Sequence, residues 1–425
     1  MHIINAIASN HLGGVVNVPL HVALLWSLGE PPHDEKICTD VEAGASLWAR
    51  RHAMRNYYML AMMLDDFPNL RITVCFTTEI LSTLVNLSRS EPRDELWRLV
   101  QKPADSLTVT ERQRLTAYLK HLDFFGQVIP SQRLSELYIK WRNGAELSED
   151  ELTDLQAWLE LAWFHPRFLN EDIALPDGTL LSMRNIATRE SGFSHDDVLA
   201  ICDAERKVLR NLLPLYVSFY NRGRLDIGVT ATPAMVSAIS TKYDPVAFEC
   251  TFGARPQGLY VPEEVDPEPF YEWLKVDSWL WIVTDREVGL LTDERIEHPS
   301  EWYQPYALQW DNCSATLFFR DDWVSRTVEE FAAFDDSNRE SADEVIALVR
   351  DARQWAHEVA PAIVIIAAQG DWTWRAYRQA GYPFLKALLD GLSNSSDLHP
   401  VTMSDCLKMS PPRDELPQID LIERG

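Results

Sequence analysis

A chain of 425 residues with 39 Lys and Arg against 64 Asp and Glu carries a formal charge of −25, so its field repels phosphate backbones and argues against nucleic acid as a partner. That length admits one large α/β barrel or two to three ordinary domains. The opening MHIINAIASNHLGG has no basic segment ahead of its apolar stretch and no cleavage pattern, and no window approaches ~18 unbroken apolar residues, which predicts a soluble, cytoplasmic protein with no membrane partner. Cys38, Cys75, Cys202, Cys250, Cys313 and Cys406 form no CxxC pair, which suits neither a zinc site nor a disulfide framework and predicts reduced thiols.

Along the chain, HIINAIA (2–8) reads as a first strand. LWARRHAMRNYYMLAMMLDDF follows at helical spacing and stops before Pro68, and RITVCF (71–76) is a second strand. A long helical insertion, residues 85–222, then separates the second strand from the third and reads as a lid or subdomain over one end of the sheet. Inside it, SEDELTDLQAWLELAWF opens on a Ser148 and Glu151 capping box, and a last helix starts at Ser194 and ends at Gly223. RLDIGVT (224–230), WLWIVT (279–284), ATLFF (315–319) and AIVIIAA (362–368) are further strands, several apolar on both faces as helix-covered parallel strands are. Strand–helix alternation through the chain predicts an α/β fold, a parallel barrel or a doubly wound sheet. The organisation is read as residues 1–84, the insertion 85–222, a second sheet portion 223–408 and a tail 409–425, with weakest order in 29–44, 178–192 and 409–425.

Polar residues collect after four apolar runs: His11 in SNHLGG, Glu263 and Glu264 at the end of FGARPQGLYVPEEV, Arg320, Asp321 and Asp322 in FFRDDWVS, and Gln369 with Asp371 in QGDWTW. Carboxylates at the C-terminal ends of parallel strands meet on one face of a barrel, where a facing pair can act as acid and nucleophile on a glycoside. Each group also has a plainer reading. His11 fits a hydrogen-bonded structural histidine, PEEV a solvated surface loop, and RDD an Arg and Asp pair fixing a loop. The Trp residues serve core packing as well as sugar stacking. The histidines show no ligand spacing, so no metal is implied, and HLGG lacks any nucleotide-binding pattern, so no cofactor is expected.

Several segments resemble glycoside hydrolase family 57, closest to its amylopullulanase-like subgroup. LWARRHAMRNYYMLAMMLDDFPNLRITVCF is similar to the family's Trp, Arg and His before a Tyr-Tyr helix, a Phe-Pro stop and a strand, with His52 at the family's His. DLQAWLELAWF, which contains Trp163, resembles its Leu-Gln-x-Trp…Ala-Trp-Phe segment. FGARPQGLYVPEEV aligns without a gap on Phe-Gly-x-x-Pro-x-Gly-x-Trp-Pro-Ser-Glu-Gly, which sets Glu263 on the nucleophile and Tyr260 on the Trp. LFFRDDWVS keeps the Phe-Arg-Asp motif in Arg320 and Asp321. The resemblance implies an incomplete (β/α)7 barrel with a helical insertion, acting on or binding α-1,4 or α-1,6-linked glucans. Its substrate-binding positions would be His11, His52, Trp163, Tyr260, Arg320, Asp321, Gln369 and Trp374, and its catalytic ones Glu263 and Asp371.

The departures from that pattern are specific. His-Gln-Pro is only half matched by His11, Leu12 and Gly13, and VTATPAMVSAIS has no histidine where the subgroup has Thr-Pro-x-x-His-Pro. Leu-Asp-Gly-Glu-Asn-x-Trp-Glu becomes Gln369-Gly370-Asp371-Trp372 through Trp374 and Arg375, so Gln369 replaces the general acid. A pseudoenzyme that binds an oligosaccharide or a protein partner is thus expected, against an active retaining enzyme in which Asp371, Asp321 or Glu264 serves as the acid.

Overall fold

Apolar runs alternating with helix-forming stretches build a mostly parallel sheet covered by helices in the computed structural model, which describes residues 19–29, 41–122, 127–128, 130–232, 243–262, 270, 274–275, 277–285, 299–310, 313–334, 339–355, 361–369, 381–412 and 414–416. The strands are β1 (Leu20–Leu28), β2 (Ile72–Phe76), β3 (Asp172–Ala174), β4 (Leu180–Ser182), β5 (Leu225–Thr230), β6 (Gly258–Val261), β7 (Trp281–Thr284), β8 (Tyr306–Trp310), β9 (Cys313–Phe319), β10 (Ala362–Gln369), β11 (Leu398–Val401) and β12 (Asp414–Leu416).

Parallel ladders run in the order β10-β1-β2-β5-β6-β7-β9, so sheet neighbours follow chain order until β10 returns beside β1. β8 pairs antiparallel with β9, and β12 lies parallel to β8. β11 pairs with Leu20–Ala23 of β1, and β2 pairs with Leu25–Leu28. Each parallel strand twists on its neighbour, and the sheet curls into a half-barrel. Among the described residues no ladder joins β9 to β10. Instead the turn after β9 bridges them: Asp321 N–H donates to Ile365 O at 2.8 Å, and Ala367 N–H donates to Ser325 Oγ at 3.1 Å.

Period-two alternation divides the core in two. Leu20, Val22, Leu24, Trp26 and Leu28 of β1 pack with the helices, while Ala23 and Leu25 join Tyr260, Trp281, Phe318 and Ile365 inside the curl. Trp281 fits there because its neighbours lack side chains: a Cβ on Gly258 would stand 1.8 Å from its Cε2, and one on Gly228 2.7 Å from its Cη2. At the N-terminal ends of the strands the helix Met403–Met409 closes the interior. Thr73 Oγ1 accepts from Met403 N at 2.9 Å, and Asp226 Oδ2 accepts from Ser404 N at 3.0 Å and Ser404 Oγ at 2.7 Å. Only the C-terminal ends are left to hold a site.

The segment between β2 and β5 is mainly helical. The capping boxes of Ser148 with Glu151 and of Ser194 with Asp197 are both formed, opening the helices Glu149–Leu161 and His195–Asn221. Gly223 ends the latter in the left-handed region, at φ 65°. At its centre Arg50, fully buried, is bonded by Asp94, Glu160 and Glu205 at 2.6 to 3.3 Å.

Several sequence expectations need correction. Residues 178–192 are ordered: β4 pairs with β3, Trp158 Nε1 donates to Glu190 O, and Asp154 accepts from Gly192 and Phe193 N. Side-chain anchors compensate there for weak local propensity. Within 409–425, Asp414–Leu416 forms β12. β1, LHVALLWSL, was not anticipated as a strand, because HIINAIA upstream reads as the first one. The proposed strand 2–8 lies outside the described residues. No described helix is long and apolar enough to cross a membrane. Among the described residues Cys75, Cys202 and Cys406 are buried free thiols and Cys250 is an exposed one.

Candidate active site at the strand ends

Where the parallel strands end, the interior face turns polar. Ser27 near the end of β1 and Thr230 at the end of β5 share a buried hydroxyl hydrogen bond of 2.8 Å. Arg320, the residue after β9, donates from Nη1 to the Tyr260 hydroxyl at 3.0 Å, from Nη2 to Asp285 Oδ2 at 2.7 Å and from Nε to Asp322 Oδ1 at 3.1 Å. Tyr260 comes from β6 and Asp285 directly follows β7, so three adjacent strands deliver these groups to one point. Gln369 ends β10 in register with Ser27, two residues after Ala367, whose N–H donates to Ser325 Oγ of the helix that follows Arg320.

Electrostatics separate the acids. Burial pushes the Asp285 carboxyl up to about 6; Arg320 opposes the shift and Asp322 adds to it. Burial likewise raises the Tyr260 phenol well above its ordinary range, so the hydroxyl stays protonated. Asp321 is differently committed. Its Oδ2 accepts from the Tyr303 hydroxyl at 2.7 Å and its Oδ1 from Val324 N at 2.9 Å, an N-terminal cap on the helix Asp322–Phe334.

A second group of the expected residues lies where the helix that follows β1 packs on the helical segment. His52 is buried with its ring 3.9 Å from Trp48 and 6.0 Å from Trp163. It belongs to a helix that runs through a π turn, Ala53–Tyr57, whose Tyr57 hydroxyl donates to Gly29 O just past β1 at 3.2 Å. His165 meets Tyr382, which opens the helix after the β10 connection, at 5.1 Å. These contacts tie the helix that follows β1 to the C-terminal end of that strand, and the helical segment to the helix Tyr382–Asn394.

The structure therefore joins Tyr260 to Arg320 and His52 to Trp163, and it sets Asp321 beside the first pair in a capping role. His11, Glu263, Glu264, Asp371 and Trp374 lie outside the described residues, and Gln369 is described through its backbone alone. The chain leaving β1 reads Gly29-Glu30-Pro31, so the tripeptide that follows the first described strand is this one rather than His11-Leu12-Gly13. Sequence reasoning also missed Asp285. Its signal was an acid immediately after WIVT, one residue on from an apolar strand, in the same position as Arg320 after β9.

A curled parallel sheet sealed at one end, with acid, arginine and phenol gathered at the other, defines a barrel-type α/β enzyme scaffold. The chain belongs to glycosyl hydrolase family 57, whose family profile matches residues 43–421. No curated protein sequence matches it. Among solved structures it is similar to a family 57-type branching enzyme from Pyrococcus horikoshii, at 11% identity and TM-score 0.52, covering 94% of this chain and 72% of that one. It is similar also to the α-amylase AmyC of Thermotoga maritima, at 11% identity and TM-score 0.50, covering 95% and 77%. A 4-α-glucanotransferase from Thermococcus litoralis matches at 12% identity and TM-score 0.49, and the chain spans 42% of its length. At such identities the likeness is one of fold.

Proposed function

We propose that this protein binds α-1,4 or α-1,6-linked glucans at the C-terminal strand ends and is impaired in cleaving them, because Gln369 stands where the resembling subgroup carries its general acid. The observation that carries this reading is the β1–β10 register: Gln369 is the last residue of β10, paired with Ser27 on the polar face. The family membership and the α-glucan-acting names of the structural neighbours support the substrate class. Parallel order with a seam between β9 and β10 supports an incomplete (β/α)7 barrel, and the mainly helical course of 85–222, with His165 packed on Tyr382, supports a lid or helical subdomain.

A retaining glycosidase needs one carboxylate to attack the anomeric carbon and a second group, about 5–5.5 Å away, to protonate the departing oxygen. Glu263 fills the first role by alignment. A glutamine amide donates a hydrogen bond but gives up no proton, and general acid catalysis is worth roughly 10²- to 10⁴-fold in rate. Hence the protein is expected to turn over α-glucosyl fluoride, whose leaving group needs no proton, and to leave maltooligosaccharides intact while binding them. Gln369→Asp should raise maltooligosaccharide hydrolysis by about 10²-fold or more, and Glu263→Gln should abolish fluoride turnover. Binding neither sugar nor fluoride would discard the glucan reading in favour of a scaffold for a protein partner.

A second reading is an active enzyme with a substitute acid. Asp285 favours it, since its carboxyl is raised to about 6 at the end of the strand next to β6, from which Glu263 follows. Maltooligosaccharide hydrolysis by the unaltered protein, lost in Asp285→Asn, would decide for that reading.

A further inference from the structure

Two consecutive arginines of the helix Val41–His52 are equally buried and unequally served. Asp94, Glu160 and Glu205 all accept from Arg50, and Asp94 Oδ1 accepts also from Trp97 N. Arg51 is 1% exposed, and among the described residues its Nε, Nη1 and Nη2 have no hydrogen-bond partner. Its guanidinium carbon sits 4.7 Å from the Trp163 ring and 6.0 Å from the Tyr118 ring. The indole N–H of Trp163 is itself buried without a partner. His121 offers no countercharge, because burial and the nearby Arg51 pull it down to about 4 and keep it neutral. Burial also lowers Arg51, to about 10, so its charge is poorly compensated.

Donors without acceptors, around a planar cation held between aromatic rings, form the complement of an oxyanion. The cluster is tied to the strand ends, since His52 packs on Trp163 and Tyr57, five residues on in the same helical run, bonds Gly29 past β1. We propose that Arg51, with the indole N–H of Trp163, receives an oxyanion, a phosphate or a carboxylate, carried by the saccharide this protein binds. The inference rests on the saccharide-binding reading of the strand ends and adds an anionic substituent to its ligand.

Binding is measured by calorimetry at low salt on the full chain with four probes: neutral maltooligosaccharides, the same chains phosphorylated at a terminal 6-hydroxyl, the same chains oxidised to a terminal carboxylate, and inorganic phosphate. At least one charged saccharide is expected to bind about tenfold tighter than the neutral chain, and the phosphorylated and oxidised arms say which oxyanion is read. Arg51→Leu should erase that preference. Arg51→Lys should keep part of it, as a point charge without the fork, and Trp163→Phe should reduce it while preserving the ring. Thermal unfolding checks the fold, and Arg51→Leu should be no less stable than the parent because it removes an unbonded buried cation; if it fails to fold, the Lys and Phe variants carry the test. Equal affinity for neutral and charged chains, a preference that survives the Arg51 variants, or phosphate binding with no saccharide advantage would each overturn the proposal. No binding of the neutral chains by the parent, with Arg51-dependent binding of a charged chain, would overturn the reading that unmodified α-glucans are the ligand and leave this one standing.

Discussion

Arg50 and Arg320 both gather carboxylates, yet they do different work. Arg50 is sealed among helices with three acids on one guanidinium, and Glu205 in that group is held well above the usual carboxylate range by burial despite the arginine. The cluster joins segments that are 110 and 155 residues from Arg50 in the chain. Arg320 sits at the ends of the strands and bonds Tyr260, Asp285 and Asp322. Full burial makes the first centre structural, and the partial exposure that Arg320 and Asp285 keep, 10% and 19%, leaves the second able to meet a ligand.

That contrast can be broken at its strongest point first. Arg50→Met should cost about 3–5 kcal/mol, because it strands buried carboxylates without a partner; urea unfolding measures it, and a loss near zero would remove the structural reading. Inside the curl, Gly258→Val should destabilise by about 1–3 kcal/mol through collision with the Trp281 indole, and the same measurement on Trp281→Leu, Gly258→Val should recover part of the loss.

At the rim the effect is smaller and pH-dependent. Asp285 has a folded pKa of about 6, above its unfolded value, so the folded state takes up its proton first. Stability should therefore fall as pH rises from about 4 to 6, and Asp285→Asn should flatten that slope in thermal unfolding across the window. The smallest effect belongs to Asp397, which Arg350, Ser395 and Arg353 hold down at about 2. Its contribution is present above pH about 4 and lost as pH falls towards 2. Asp397→Asn should cost only about 0.2–1 kcal/mol at pH 7, as expected of a largely exposed ion pair.

Five strands, β2, β5, β7, β9 and β10, were legible in the sequence within a few residues, as were the capped helices opening at Ser148 and Ser194. Short-range chemistry marks them: apolar runs bounded by turns, and hydroxyl-to-backbone caps. β1 was not legible, because the apolar run HIINAIA upstream of it reads as the first strand. Tyr260 and Arg320 were picked out through their motifs, whereas Asp285 was passed over because a lone acid after a strand looks like any surface charge.

What the sequence determined by itself was the α/β class and the likeness to family 57, since each is written in residue order and spacing. Only the tertiary structure decided which charges are closed off and which face the rim. Asp321 caps a helix, Asp285 shares Arg320 with Tyr260, and Arg51 is buried without acceptors while Arg50 has three acids. Charges far apart in the chain meet only when the sheet curls and the helices pack, and burial then sets what each can do.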